Sequence, residues 1–196
     1  MRALALICVL AGALLGARAE AQAVFSHAVQ DGDTFASIAQ RYYGDPTREV
    51  VLREANSMKG VPDEALVPGS WLFVPVVTFY RVGKDETWRS IASRFFGAEN
   101  RAAILIDAND GSRRTQPDEG AELLVPYPLR HVVAPGETLA KIAKLYMPEG
   151  SASLKRLRQF NAGARIERGK VVLVPLYGLR LVGDGRSEAA FAFASA

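Results

Sequence analysis

Apolar residues recur along this chain in one repeated phrase. A short extended run, His27-Ala28-Val29, gives way to a polar turn, Gln30-Asp31-Gly32-Asp33-Thr34. After the turn, Phe35, Ile38, Ala39 and Tyr42 fall at the spacing of one helix face. The phrase returns from Tyr80, with Trp88, Ile91, Ala92 and Phe95 as the stripe. It returns again from His131, with Leu139, Ile142, Ala143 and Tyr146. Self-similarity at a period of about 50 residues marks an array of small units rather than one large core.

The polar positions punctuate each unit. Gly32 suits a turn that needs a positive φ, and Thr34, Thr87 and Thr138 stand where helix N-caps belong. Asp33, Glu86 and Glu137 add negative charge near the positive end of a helix. Gly44-Asp45-Pro46 ends the first helix, and Pro46 suits the start of the next. Val50, Val51 and Ala55 give a second helical face that ends near Asn56. A Pro/Gly loop then leads to an apolar strand, Ser70 to Pro75. The matching landmarks are Gly97, Asn109 and Leu123 to Pro126, then Asn161 and Val171 to Pro175. From first-strand residue to asparagine the spacing is 29, 29 and 30 residues. From asparagine to closing proline it is 19, 17 and 14, so only the last loop shortens. Each unit reads strand-helix-helix-strand, over residues 26–76, 79–127 and 130–176.

The connections between units hold four residues each and contain no Gly/Ser tether, so the units should touch. Alternation along the closing strand puts Leu72 and Val74 toward the helices and Trp71 with Phe73 on the opposite face. An apolar outer face of a two-stranded sheet needs cover. Trp71 and Phe73 are therefore expected to pack on a neighbouring unit or linker, or to meet an envelope protein; the competing idea is an aromatic platform for sugar. Residues 177–196 form a C-terminal extension that reads equally as a covering strand or a disordered tail.

Composition narrows the class. At 49% hydrophobic and 23% charged, the 196 residues are ordinary globular material. The formal charge of +3 comes from interleaved acids and bases, with no basic run of the kind that binds nucleic acid. Residues 1–23 read as a signal peptide: Arg2, an apolar run from Ala3 to Gly16, and small-x-small cleavage options near Ala19 to Ala23. The run is too short for a membrane span, so the mature chain is expected to be exported to the periplasm or beyond, without an anchoring helix. The single cysteine, Cys8, lies inside that segment, and the mature chain has none for disulfides or thiol chemistry.

These residues resemble the LysM module. The resemblance rests on His27-x-Val29-x-x-Gly32-Asp33-Thr34-Phe35-x-x-Ile38-Ala39, then Asn56, then Gly69-x-x-Leu72-x-Val74-Pro75, repeated three times. It implies an α+β chain of three tandem small βααβ modules, each a two-stranded antiparallel sheet packed on two helices. It also implies binding of N-acetylglucosamine polymers such as peptidoglycan, without catalysis or a cofactor. The implied groove of the first module sets Asp31, Gly32, Asp33, Thr34 and Phe35 against Asn56, Ser57, Met58 and on to Gly60. The third sets Pro135, Gly136, Glu137, Thr138 and Leu139 against Asn161, Ala162 and Gly163. In the second, Asp85 replaces the turn glycine and narrows the approach, which marks that module as weakened or structural.

Blander roles compete at each position. The threonines serve as caps, and the asparagines as loop anchors before sugar contacts. The three acids sit in separate units, so a paired-carboxylate glycosidase centre is unsupported. His27 and His131 occupy the strand position of Tyr80, which favours an aromatic filler over a metal ligand. A non-enzymatic wall-binding protein is the leading expectation. A tightly packed envelope scaffold with idle grooves is the rival.

Overall fold

The computed structural model describes residues 25–147, 151–183 and 185–186. The expected signal peptide and the last ten residues lie outside the described residues. The first module comprises β1 (Phe25–Ala28), α1 (Phe35–Tyr43), α2 (Glu49–Ala55) and β2 (Trp71–Val74). The second comprises β3 (Thr78–Arg81), α3 (Trp88–Phe96), α4 (Ala102–Ala108) and β4 (Glu122–Val125). The third comprises β5 (Tyr127–Val132), α5 (Leu139–Tyr146), α6 (Ser151–Phe160) and β6 (Val171–Leu176). The strands pair β1 with β2, β3 with β4 and β5 with β6, each antiparallel. This is the mixed α+β arrangement of small two-stranded sheets on helices that the repeat predicts. The first strand begins at Phe25, two residues before the expected His27, because Phe25 packs edge-on against Tyr42 at 4.9 Å.

Local chemistry sets the helix ends. Ser37 N–H donates to Thr34 Oγ1 at 3.0 Å, and Thr34 N–H donates to Ser37 Oγ at 2.9 Å. Thr87 and Ser90 repeat this reciprocal cap. Thr138 keeps only the first bond, at 3.3 Å, because Lys141 replaces the serine. Gly44 and Gly97 stop α1 and α3 in the left-handed conformation, at φ 69° and 73°. Thr34→Ala should cost about 1 kcal/mol in urea unfolding. Thr138→Ala should cost less, since it loses one cap bond and not a reciprocal pair.

An asparagine in each module ties the second helix to the closing strand. Asn56 Nδ2 donates to the carbonyls of Leu52 and Phe73, and its Oδ1 accepts from Phe73 N–H at 2.8 Å. Asn109 makes the same three bonds with Leu105 and Leu124. Asn161 makes them with Leu157 and Leu173. In a two-stranded sheet, alternate backbone groups of the closing strand point off its free edge. The amide side chain completes that edge.

The modules are packed together. The first and third share one apolar core, in which α2 lies against β5 and α5. The second has its own core, closed by Phe160 from α6. Phe160 stands where the other modules carry Ala55 and Ala108. Its ring meets Phe96 edge-on at 5.1 Å, and its carbonyl accepts from Arg101 Nε at 3.0 Å. The larger side chain thus fills the seam between the second and third modules.

The outer sheet face behaves unevenly. Phe73 packs against Tyr127 with ring centroids 6.0 Å apart, as expected. Trp71 is 73% exposed, which overturns its expected burial against a neighbour. It sits two pairs nearer the turn end of the sheet than Phe73, opposite Ala28. The described part of the C-terminal extension, residues 177–183 and 185–186, lies over the first module and forms no strand among the described residues. Leu179 is fully buried, its carbonyl accepts from Val77 N–H at 3.0 Å, and Val182 N–H donates to Tyr42 O at 2.9 Å.

Candidate functional site

The turn between the first strand and first helix of each module is built by one carboxylate. Asp33 Oδ2 accepts from Gln30 N–H at 2.7 Å and lies 2.8 Å from His27 Nε2. Glu137 Oε2 accepts from Ala134 N–H at 2.7 Å and lies 2.7 Å from His131 Nε2. Glu86 Oε2 accepts from Gly83 N–H at 2.7 Å and from Tyr80 O–H at 2.6 Å. These acids close the turn onto the first strand. That differs from the expected role beside a helix end, because the carboxyl folds back to the strand aromatic.

The strand aromatic has a second partner on the helix. His27 Nδ1 lies 2.8 Å from Tyr42 O–H, and His131 Nδ1 lies 3.0 Å from Tyr146 O–H. In the second module Tyr80 replaces the histidine, and Phe95 stacks on its ring edge-on at 5.1 Å. A phenol has one polar atom, so it needs no hydroxyl from the helix. Arg94 donates to the Tyr80 hydroxyl instead. The clue was present in the sequence: histidine pairs with tyrosine, and tyrosine with phenylalanine, at one fixed spacing.

Charge follows this geometry. Burial opposes ionisation of Asp33, but the His27 and Gln30 hydrogen bonds outweigh it and hold its pKa below the ordinary value. Burial likewise opposes Glu86, and the Tyr80 and Gly83 bonds reverse it. Glu137 goes furthest: against burial, Ala134 N–H, His131 and Lys59 bring it from 4.5 to about 2.

Two of the three turns present open backbone. Gly32 and Gly136 sit at φ 83° and 72°, and a Cβ on either would meet no atom within 4 Å. Asp85 adopts the same left-handed backbone at φ 60° and keeps its side chain there. The neighbouring Asp31, Pro135 and Thr138 are exposed. Thr34 is half-buried and Phe35 is fully buried.

The entrance amides of the three helices differ. Phe35 N–H donates to Asp63 Oδ1 at 3.2 Å, and Trp88 N–H donates to Gln116 Oε1 at 3.2 Å. Both acceptors come from the long last loop. In the third module that loop is shorter, and among the described residues no side chain accepts from Leu139 N–H. Leu139 itself is half-buried. The shortened wall therefore leaves this entrance without a loop acceptor.

On the facing wall, Ser57 and Ala162 are exposed and Met58 is half-buried. Asn56 and Asn161 have their amides engaged with the closing strand, as described above. Lys59 reaches out of the first module to Glu137 Oε1 of the third, at 3.1 Å.

One further residue joins these sites. Glu54, on α2 of the first module, accepts from Val132 N–H at 3.2 Å and lies 3.2 Å from His131 Nδ1. His131 is fully buried with a carboxylate near each ring nitrogen. Burial pulls its pKa down, but the hydrogen bonds to Glu54 and Glu137 prevail and raise it. Burial pushes the Glu54 pKa up, and His131 with Val132 N–H turns the net shift downward. Sequence reading missed Glu54, whose partners lie in the third module, Val132 being 78 residues away. The corresponding Asp107 of the second module also faces a neighbour, 3.7 Å from Arg156 Nε.

Residues 27–75 and 131–175 match the family model of the LysM domain. These two copies span the first and third modules, and the match leaves out the second. Two Mycobacterium tuberculosis proteins, named Esterase MT1326 (strain CDC 1551 / Oshkosh) and Esterase Rv1288 (strain ATCC 25618 / H37Rv), are each 29% identical over 175 residues. The alignment covers 84% of this chain and 37% of either relative, so this chain spans well under half their length. Among solved structures, the spore cortex-lytic enzyme SleL of Bacillus megaterium QM B1551 is 24% identical, with a TM-score of 0.23 over 53% of this chain and 23% of that one. The ectodomain of a receptor like kinase is 18% identical, with a TM-score of 0.23 over 78% and 90%.

Proposed function

We propose, from the two segments that match the LysM domain, that this chain is an exported bacterial protein that binds peptidoglycan through N-acetylglucosamine without acting on it chemically. The observation that carries the reading is the coincidence of match and openness. The two matched modules are those whose turn carries an unobstructed glycine, Gly32 and Gly136. An N-acetyl group brings one amide donor, one amide acceptor and a methyl. Turn backbone and a small apolar wall satisfy all three without a charged side chain. The third module is the stronger site, because its Leu139 amide meets no loop acceptor.

The second module serves as structure on this reading. Its Asp85 fills the approach, and Trp88 Nε1 is held by Thr115 O at 2.8 Å. The esterase named in the relatives is assigned to the part of those proteins that this chain does not span. Each groove is shallow, so a single site binds weakly, and two held at a fixed spacing gain by about 10²–10⁴ in avidity when one glycan reaches both.

The test is a titration of the whole protein with chitotetraose, followed by amide NMR. Shifts should appear first at Gly136, Thr138 and Leu139, then at Gly32 and Thr34, and not at Asp85. A protein that fails to sediment with purified peptidoglycan at low salt, and shows no shift at either glycine turn, is not a glycan binder. The scaffold reading would then stand, supported by the fused cores and exposed Trp71.

A further inference from the structure

A cavity of about 470 Å³ opens where the first module, the third module and the C-terminal extension meet. Three guanidinium groups border it: Arg48 ahead of α2, Arg156 on α6 and Arg180 in the extension. Met147 and Leu176 give it an apolar floor. The glycan turns are elsewhere, and no residue proposed for sugar binding lines it.

Among the described residues the local charge is not balanced. Arg48 donates to Tyr146 O at 3.2 Å and has Asp45 3.5 Å from its Nε. Its Nη2 remains beside Gly178, where a Cβ would lie 3.5 Å away. Arg156 has Asp107 at 3.7 Å, beyond hydrogen-bond reach, and its guanidinium stands over the Tyr177 ring at 5.6 Å. Arg180 is exposed and pairs with no described residue. Among the described residues, three cations against two loosely held carboxylates leave an excess positive charge around a partly apolar chamber. Arginine forks of this kind hold carboxylates by paired N–H donors.

We propose that this cavity binds a short acidic peptide, its carboxylates on Arg156 and Arg180 and its aliphatic part on Met147 and Leu176. The volume exceeds what a lone oxyanion needs, and the apolar floor suits a side chain more than a phosphate. Such a peptide is the kind of chain that a wall polymer carries beside its sugars. The inference does not depend on sugar binding, because its probes contain none.

The experiment uses the full chain and the tripeptide Ala-Glu-Ala, with its fully amidated form and inorganic phosphate as comparison arms. Backbone shifts at Ala152 and Gly178 should saturate with the free-acid peptide. Amidation should weaken binding by at least about tenfold, and phosphate should bind less tightly than the peptide. Arg156→Ala with Arg180→Ala should also weaken it by at least about tenfold. Arg113→Ala with Arg114→Ala removes equal charge from a distant exposed loop and should leave binding within about twofold. Both pairs are exposed enough to fold normally, which urea unfolding verifies. Equal losses in the two double variants, tight phosphate binding through the same arginines, or no saturable shift would each overturn the proposal.

Discussion

Asn161→Ala should lower stability by roughly 2–4 kcal/mol, read as a shift in urea midpoint with an unchanged slope. The side chain is buried and makes three hydrogen bonds. Two of them satisfy the N–H and C=O of Leu173 on the free edge of β6. The carbonyl of Leu157 keeps a second donor, the Asn161 N–H at 3.1 Å, and is not orphaned. The cost therefore comes from two strand groups left without water or protein. Each unsatisfied buried group costs about 1–3 kcal/mol. Asn56→Ala should cost less, because Asn56 is only half-buried and water can replace part of the amide. Equal losses at the two positions would show that burial does not set the cost.

Glu54→Ala should cost about 1–3 kcal/mol near pH 5.5 and bring the His131 titration down. The wild-type imidazole is raised above its ordinary 6.5, so its contribution is whole below 6.5 and fades as pH climbs through the raised value. Glu54 and Glu137 are lowered from 4.5, so theirs is whole above 4.5 and fades as pH falls, for Glu137 toward about 2. Wild-type stability should thus be highest between about 4.5 and 6.5 and decline on both sides. Removing Glu54 leaves a buried imidazolium with one carboxylate, and only the Tyr146 hydroxyl beside its Nδ1. The alkaline decline should flatten, because less is then lost when the ring gives up its proton. Histidine ring-proton NMR against pH follows this directly. A wild-type His131 titrating at or below 6.5 would remove the basis for the whole profile.

What could be read in the chain was what repeats nearby. The stripe Phe35, Ile38, Ala39, Tyr42 is buried throughout because helix periodicity is a local property. The thresholds at Thr34 and Gly44 follow from cap chemistry within four residues. The site was only partly legible. Its turns were placed, but the carboxylates were assigned to the helix end, since the strand histidine that claims them is a tertiary neighbour. Glu54 carried no signal at all: an acid on a helix reads as solvated until another module is laid on it. Trp71 shows the converse error. Alternation correctly named its face, but which part of that face a neighbour covers depends on where the third module stops.

The seam between the first and third modules also bears on how the chain is made. Synthesis runs from the N-terminus, and the whole second module is produced before β5. Arg48 must wait for Tyr146, 98 positions later, and Glu54 for a strand that begins beyond Ala121. The nascent first unit can form its own hairpin and helices, yet its flank stays bare until the last third emerges. Arrival of the last third of the chain, not early local folding, seals the molecule, and a chain cut after Pro126 should be prone to stick to its own copies.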